Sequence, residues 1–250
     1  MNLKKHIPNL ITLGNLLCGT IAVIFAVNNN FLMAASFVIL GIVLDFFDGF
    51  AARLLNVSGE LGKQLDSLAD MVTSGVVPGI VMLSLLHKSQ LNSYEKIVDN
   101  SLMSFDVGYL KYLGLILTLA ACYRLANFNI DTRQSDSFIG LPTPSMALFV
   151  LSLPLIPMYS DNQFFINLVQ NNYFLIGVTL VLSYLMNAEI PLFSLKFKTF
   201  KVKKNLLKYV FLLASLMMIL TLEIISIPLV IVLYVLLSVG SNLSKKKIFV

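Results

Sequence analysis

The sequence predicts an all-α protein, a polytopic membrane helix bundle of about eight transmembrane helices forming one domain over 1–250. Three observations predict it. Hydrophobic residues make up 57% of the chain and charged residues only 12%, with a mean hydropathy of +0.84. A soluble domain carries about a quarter charged residues. The apolar residues also fall into eight runs, each near the ~20 residues that cross a bilayer core. Finally, the basic residues gather in alternate loops, so that fifteen of the 18 lie on one side of the predicted membrane.

The runs are 8–27, 31–52, 66–86, 108–127, 143–159, 167–186, 206–222 and 224–242. Asn28, Asn29 and Asn30 make the first turn. Pro142 and Pro144 open the fifth span, where a missing N–H costs little. Glu223, Ile224, Ile225 and Ser226 leave so short a connection that the last two spans must form a hairpin. The inside set of basic residues comprises Lys4, Lys5, Arg53, Lys63, Arg124, Arg133, the Lys196–Lys208 cluster and Lys245–Lys247. Lys88, Lys96 and Lys111 fall outside. Both termini and the loop near residues 53–66 are therefore expected in the cytoplasm, at the inner membrane of the cell. The first run also resembles a signal peptide. Pro8, Asn9, Thr12 and Asn15 interrupt it, and its loss would invert the charge pattern, so it is expected to remain as a span.

Several function classes drop out. The net charge of +5 sits in short clusters between apolar runs, with no basic stripe interleaved with aromatics, so no nucleic acid is expected as a partner. Cys18 and Cys122 lie inside spans without C-x-x-C spacing, which leaves them as small core residues. The two histidines, His6 and His87, flank spans and supply no histidine nucleophile pair.

The chemistry-bearing stretch is DFFDGFAARLLNVSGELGKQLDSLAD, residues 45–70. Asp45, Asp48, Asp66 and Asp70 stand in surroundings where carboxylates are costly unless paired or bound to metal. Spacings of three and four put Asp45, Asp48, Gly49 and Ala52 on one helix face, and Gly62, Asp66 and Asp70 on one face of the next. Two facing acidic stripes make a cation site, and hard oxygen ligands suit Mg²⁺ or Mn²⁺. Asp45, Asp48 and Asp66 are the first expected ligands, with Asp70 beside them; the competing reading is an ion network with Arg53 and Lys63. Gly49, Ala52 and Gly62 either pack helices or let a bulky polar ligand reach the backbone. Arg53 can pair with a phosphate or an aspartate. On the first span Asn9, Thr12, Asn15 and Gly19 form a polar stripe that either glues helices or binds substrate. Arg124, at an inner helix end, either snorkels or holds an anionic group.

The pattern D-x-x-D-G-x-x-A-R, eight residues, then G-x-x-x-D-x-x-x-D resembles the signature of the CDP-alcohol phosphotransferases, with every signature position filled. The resemblance is strongest over 7–150. IPNLITLGNLLCGT, LDSLADMVTSGVVPG, YRLANFN at 123–129 and FIGLPTPS at 138–145 look like the phosphatidylserine synthases of that class. It implies a metal-dependent membrane transferase that passes the phosphatidyl group of CDP-diacylglycerol to L-serine and releases CMP. It also implies that Asp70 is the catalytic base, that membrane lipids surround the protein and that a homodimer is an available assembly. Asn127 departs from the pattern, where the family has a second arginine; Arg124 must then do more alone. An acceptor such as glycerol 3-phosphate or an inositol phosphate would need a tight cluster of cations near the aspartates, and none is visible. An ion-coupled transporter would place its acids near mid-bilayer on broken helices, whereas these gather at one face.

Overall fold

The computed structural model describes residues 6–57, 59–97, 107–131, 138–193 and 205–246. Of the basic residues that set the expected orientation, Lys4, Lys5, Arg133, Lys196, Lys198, Lys201, Lys203, Lys204 and Lys247 lie outside the described residues, as do the side chains of Lys96, Lys245 and Lys246. The described chain is helical apart from one short antiparallel bridge. Among the described residues, five helical segments can cross a membrane by length and composition, or six if one bent pair counts as a single span, with Leu206–Leu243 counted once although it doubles back, and the protein is membrane-embedded.

Helix α1 (His6–Val27) is built inside-out relative to a soluble helix. Pro8, Thr12, Asn15, Gly19, Ala22 and Ala26 face inward, while Leu10, Leu17 and Ile24 point outward at seven-residue intervals. Lipid solvates large apolar side chains as well as a core does, so small and polar residues take the helix interfaces. The turn at Asn28–Asn30 is as expected, with Asn29 at φ 57° and Asn30 capping α2 (Phe31–Leu55) through Met33 N. Asn56, left-handed at φ 52°, ends α2; asparagine tolerates that region better than most residues.

The third run starts earlier than hydropathy indicated. Helix α3 (Glu60–Asp70) begins six residues ahead of the apolar segment, because its first turns are amphipathic rather than apolar. It passes through a π-helical turn (Met71–Val76) into α4 (Val77–Ile97). The fourth run begins as 3₁₀ helix (Val107–Leu115) before α5 (Ile116–Ile130). After it, β1 (Phe138–Ile139) leads into α6 (Thr143–Ser152). Pro154 and Pro157 break this run into a 3₁₀ turn (Leu153–Leu155) and α7 (Ile156–Tyr159). The sixth run is two helices, α8 (Gln163–Val169) and α9 (Asn172–Asn187), bent by 72° where Asn171 caps the second. Met82, Leu86, Leu117, Met146, Leu151 and Leu175 fill the centre, so α4, α5, α6 and α9 share one core.

Strand β2 (Pro191–Leu192) pairs with β1, Phe138 opposite Leu192 and Ile139 opposite Pro191. Helix α10 (Leu206–Leu222) and α11 (Ser226–Lys246) complete the chain. These last two form the expected hairpin. The rings of Phe211 and Tyr234 lie 5.6 Å apart, whereas 23 residues of straight helix would separate them by about 34 Å. Glu223 makes the reversal at φ 46°, ψ −119°, the conformation of the first central residue in a type II′ turn, where glycine is the usual occupant. Glu223→Gly is therefore expected to raise the melting temperature in detergent by relieving a strain of about 1 kcal/mol; a lower melting temperature would show that the glutamate side chain outweighs the strain.

Candidate active site

The acidic residues gather as the spacing indicated. Asp45 and Asp48 lie in the second half of α2, Asp66 and Asp70 in α3, and α1 packs along both helices. Ligand oxygens of Asp45, Asp48 and Asp66 all lie within 4.8 Å of one another. Asp48, Asp66 and Asp70 all stand within electrostatic range of the Asp45 carboxyl. A divalent ion with oxygen ligands at about 2.0–2.6 Å fits among such atoms. Like charges held this close in apolar surroundings repel unless a cation sits among them. The donor set and its geometry thus fit a hard divalent metal.

Asp70 stands next to this triad and has its own partners. Asn15 donates from Nδ2 to Asp70 Oδ1 at 3.2 Å, while Asn15 Oδ1 accepts from Thr73 Oγ1 at 2.8 Å. The amide orientation is fixed from both ends. Arg124 lies within electrostatic range of Asp70 from α5. Thr12 donates to Asp48 Oδ2 at 2.5 Å. The polar stripe of α1 therefore both joins helices and orients two of the four carboxylates.

Nothing in the sequence pattern singles out Thr73. It sits in the π-helical turn after Asp70, fully buried, and a Cβ on Gly19 would run into its backbone. Gly19 is thus what lets α1 close on this turn. A π turn adds a residue to the helix and redirects the side chains beyond it. Asp70 stays on the acidic face while Thr73 turns towards α1, and Thr118 donates to the carbonyl of Gly75 at 3.0 Å.

The remaining expected residues divide. Asn9 faces Gly62 and lies 3.4 Å from where a Cβ there would be. A Cβ on Gly49 would meet nothing within 4 Å, so helix packing does not account for that glycine. Ala52 is half-buried on the same side of α2, and Arg53 is exposed. Lys63 does not join the aspartates; its Nζ donates to the carbonyl of Asn129, and Asn129 Nδ2 donates to Ser67 Oγ at 2.9 Å, which ties α3 to the end of α5. Arg124 is 8% exposed and its buried Nε has no hydrogen-bond partner. It lines a cavity of about 360 Å³ together with Asn127, Asp131, Asn187 and Glu189.

The sequence profile of the CDP-alcohol phosphatidyltransferases matches residues 5–185, well over half the chain. The chain belongs to the CDP-alcohol phosphatidyltransferase family. The match runs beyond the stretch where motifs alone carried the resemblance and into α9. Within the family the chain is similar to a CDP-diacylglycerol–serine O-phosphatidyltransferase of Bacillus subtilis, with 35% identity over 62% of this chain and 79% of that protein. A protein of the same name from Helicobacter pylori strain J99 is 31% identical over 80% of this chain and 75% of its own length. An archaetidylserine synthase of Methanothermobacter thermautotrophicus is 28% identical over 64% and 65%.

For a member of this transferase family, the open space at Gly49 is a test of ligand approach against packing. Gly49→Ala is expected to keep or slightly raise the melting temperature, because its methyl meets no protein atom and alanine favours the helix over glycine. It should lower donor affinity by about tenfold or more, on the order of 1.4 kcal/mol. A variant that binds donor normally would return Gly49 to a spacer role.

Proposed function

We propose that the protein transfers the phosphatidyl group of CDP-diacylglycerol to L-serine, giving phosphatidylserine and CMP. The observation that carries this reading is the metal-sized triad of Asp45, Asp48 and Asp66 set directly beside Asp70 and a buried arginine with an unpartnered Nε. Relatives named for the same reaction support the choice of acceptor. The single domain covers 1–250, with its catalytic motif at 45–70.

In the net reaction the serine hydroxyl oxygen forms a bond to the phosphorus that carries diacylglycerol. The bond from that phosphorus to the oxygen bridging it to CMP breaks, and CMP leaves with the electron pair. Asp70 accepts the hydroxyl proton, which a weak nucleophile must lose as it attacks. Asn15 holds Asp70 in place from one side and Arg124 offsets its charge from the other. Asp45, Asp48 and Asp66, with Asp70 adjoining, would hold Mg²⁺ or Mn²⁺, which supplies neutralisation of the pyrophosphate charge. Thr12 fixes the Asp48 rotamer for that purpose. Gly49, Ala52 and Gly62 give the cytidine and diphosphate room against helix backbone, with Asn9 at the edge and Arg53 available to a phosphate. Arg124 presents a planar fork suited to the serine carboxylate.

CMP release from CDP-diacylglycerol tests the assignment. Chelation with EDTA should abolish turnover, and Mg²⁺ or Mn²⁺ should restore it. Asp70→Asn is expected to lower kcat by at least ~10²-fold with donor binding retained. Full turnover in chelator would remove the metal site. Loss of donor binding in Asp70→Asn would make Asp70 a ligand instead of the base.

The active site is proposed to face the cytoplasm, where CMP and serine are exchanged, with both termini on that side. In a background lacking Cys18 and Cys122, an impermeant thiol reagent added to intact cells should label Asn28→Cys but not Glu60→Cys. The reverse pattern would invert the topology.

A further inference from the structure

Asn15 and Thr73 meet where three elements converge, and both residues are fully buried. Helix α1 supplies Asn15, the π-helical turn supplies Thr73, and α2 leaves a gap for them at Gly41. A Cβ on Gly41 would stand 2.7 Å from Asn15 Oδ1 and 2.8 Å from Thr73 Cγ2. A Cβ on Gly19 would run into the Thr73 hydroxyl and lie 3.0 Å from its backbone. Two glycines, one on each neighbouring helix, therefore open a slot that a side chain at either position would close. Gly41 lies one helical turn before Asp45, on the acidic face of α2. The slot is thus built into the same face as the carboxylates.

Thr73 uses its hydroxyl differently from other helical threonines of this chain. Thr20, Thr179 and Thr221 each donate to the carbonyl four residues back at 2.8 Å, the usual place for a threonine proton in a helix. The π turn instead directs Thr73 to α1, where its Oγ1 lies 2.8 Å from Asn15 Oδ1 and 3.2 Å from Asn15 O. Both of those atoms are acceptors that carry no proton, so the hydroxyl is the donor. With its oxygen held by Thr73, the Asn15 amide turns its nitrogen to the opposite side. There Nδ2 donates to Asp70 Oδ1 at 3.2 Å. A reversed amide would set its oxygen against a carboxylate oxygen, and the two would repel.

We infer that Thr73 is a positioning residue for the transfer reaction. Its hydroxyl proton fixes which end of the Asn15 amide faces Asp70, and through it the orientation of the carboxylate that accepts the serine proton. This deepens the reading of Asp70 as the base and rests on it. Thr73 acts through Asn15 and need not touch either substrate. A general base works only with the proton in hydrogen-bond reach, so a carboxylate free to swing loses turnover. Donor binding does not depend on that orientation, and the two effects separate in kcat and KM.

The test is CMP release by the purified full-length protein, with kcat and the KM for CDP-diacylglycerol measured separately. Thr73→Val keeps the shape and removes the proton. It is expected to lower kcat about tenfold or more, the scale of one buried hydrogen bond left unmade, with the donor KM kept within about twofold. Thr73→Ser retains the hydroxyl and should recover most of kcat. Thr73→Cys, a weak donor of similar size, should fall between the two and carries the test if the valine variant does not fold. In an Asp70→Asn background Thr73→Val should cost little further kcat, because the two residues act as one unit. Wild-type kcat in Thr73→Val, or in Thr73→Cys where valine does not fold, overturns the inference. Equal losses in the valine and serine variants also overturn it, since the fit of the slot and not the proton would then matter. So does a full tenfold further loss in Asp70→Asn. If Asp70→Asn keeps wild-type kcat, the base reading and this inference fall together; if Asp70→Asn is slow and Thr73→Val is not, this one falls alone.

Discussion

The structure turns on three carboxylates forced together where the surroundings give them no relief. Asp45, Asp48 and Asp66 come from two helices that would separate if repulsion alone acted between them. The opposing force comes from α1. Its Thr12 reaches Asp48 on α2, and its Asn15 reaches Asp70 on α3, so one helix clamps the two acidic faces from the same side. Each bond is charge-assisted, and such bonds are roughly twice as strong as neutral ones. The clamp only works if α1 can approach closely, which is why its inner face is Pro8, Thr12, Asn15, Gly19 and Ala22 while leucines point to lipid. Helix packing and substrate chemistry therefore use the same residues.

That dual use explains what could be read from the sequence. Hydropathy marks spans well because the bilayer punishes any unpaired backbone group, and the turns at Asn28–Asn30 and Glu223 are implied by the brevity of the connections. The aspartate stripes are legible because helical periodicity links residues three and four apart without knowledge of the rest of the fold. Asn15, by contrast, reads as polar but not as the partner of Asp70, since 55 residues separate them. Lys63 looks in sequence like a charge partner for the aspartates and proves to be a bracket to Asn129.

The features hidden from sequence depend on tertiary closeness. The π turn after Asp70 leaves no periodic trace, because MVTSGV reads as ordinary apolar helix. The kink between α8 and α9 sits inside a run apolar enough to pass as one span. The two-residue bridge of β1 and β2 is too short to show alternation, and it joins segments more than fifty residues apart. FIGLPTPS is recognisable as text, but its purpose emerges only once Gly140 is seen against Met186 and its amide against Ile190.

The C-terminal hairpin acquires a purpose from the same contacts. Tyr234 of α11 donates through its hydroxyl to the carbonyl of Phe193 at 2.8 Å, and its ring joins those of Phe193 and Phe211. Asn242 holds Pro191. The hairpin thus grips 191–193, which in turn carries the Glu189 segment against β1 and α5. Cavity walls made of loop backbone move unless something outside them is rigid. Here the rigid element is the pair α10 and α11, of which α11 packs on α6 and β2. On the proposed reading, the metal-binding half of the site is built by α1 to α3 and the half that recognises the acceptor is braced from the far end of the chain. Arg124 belongs to both, since it faces Asp70 on one side and the cavity on the other.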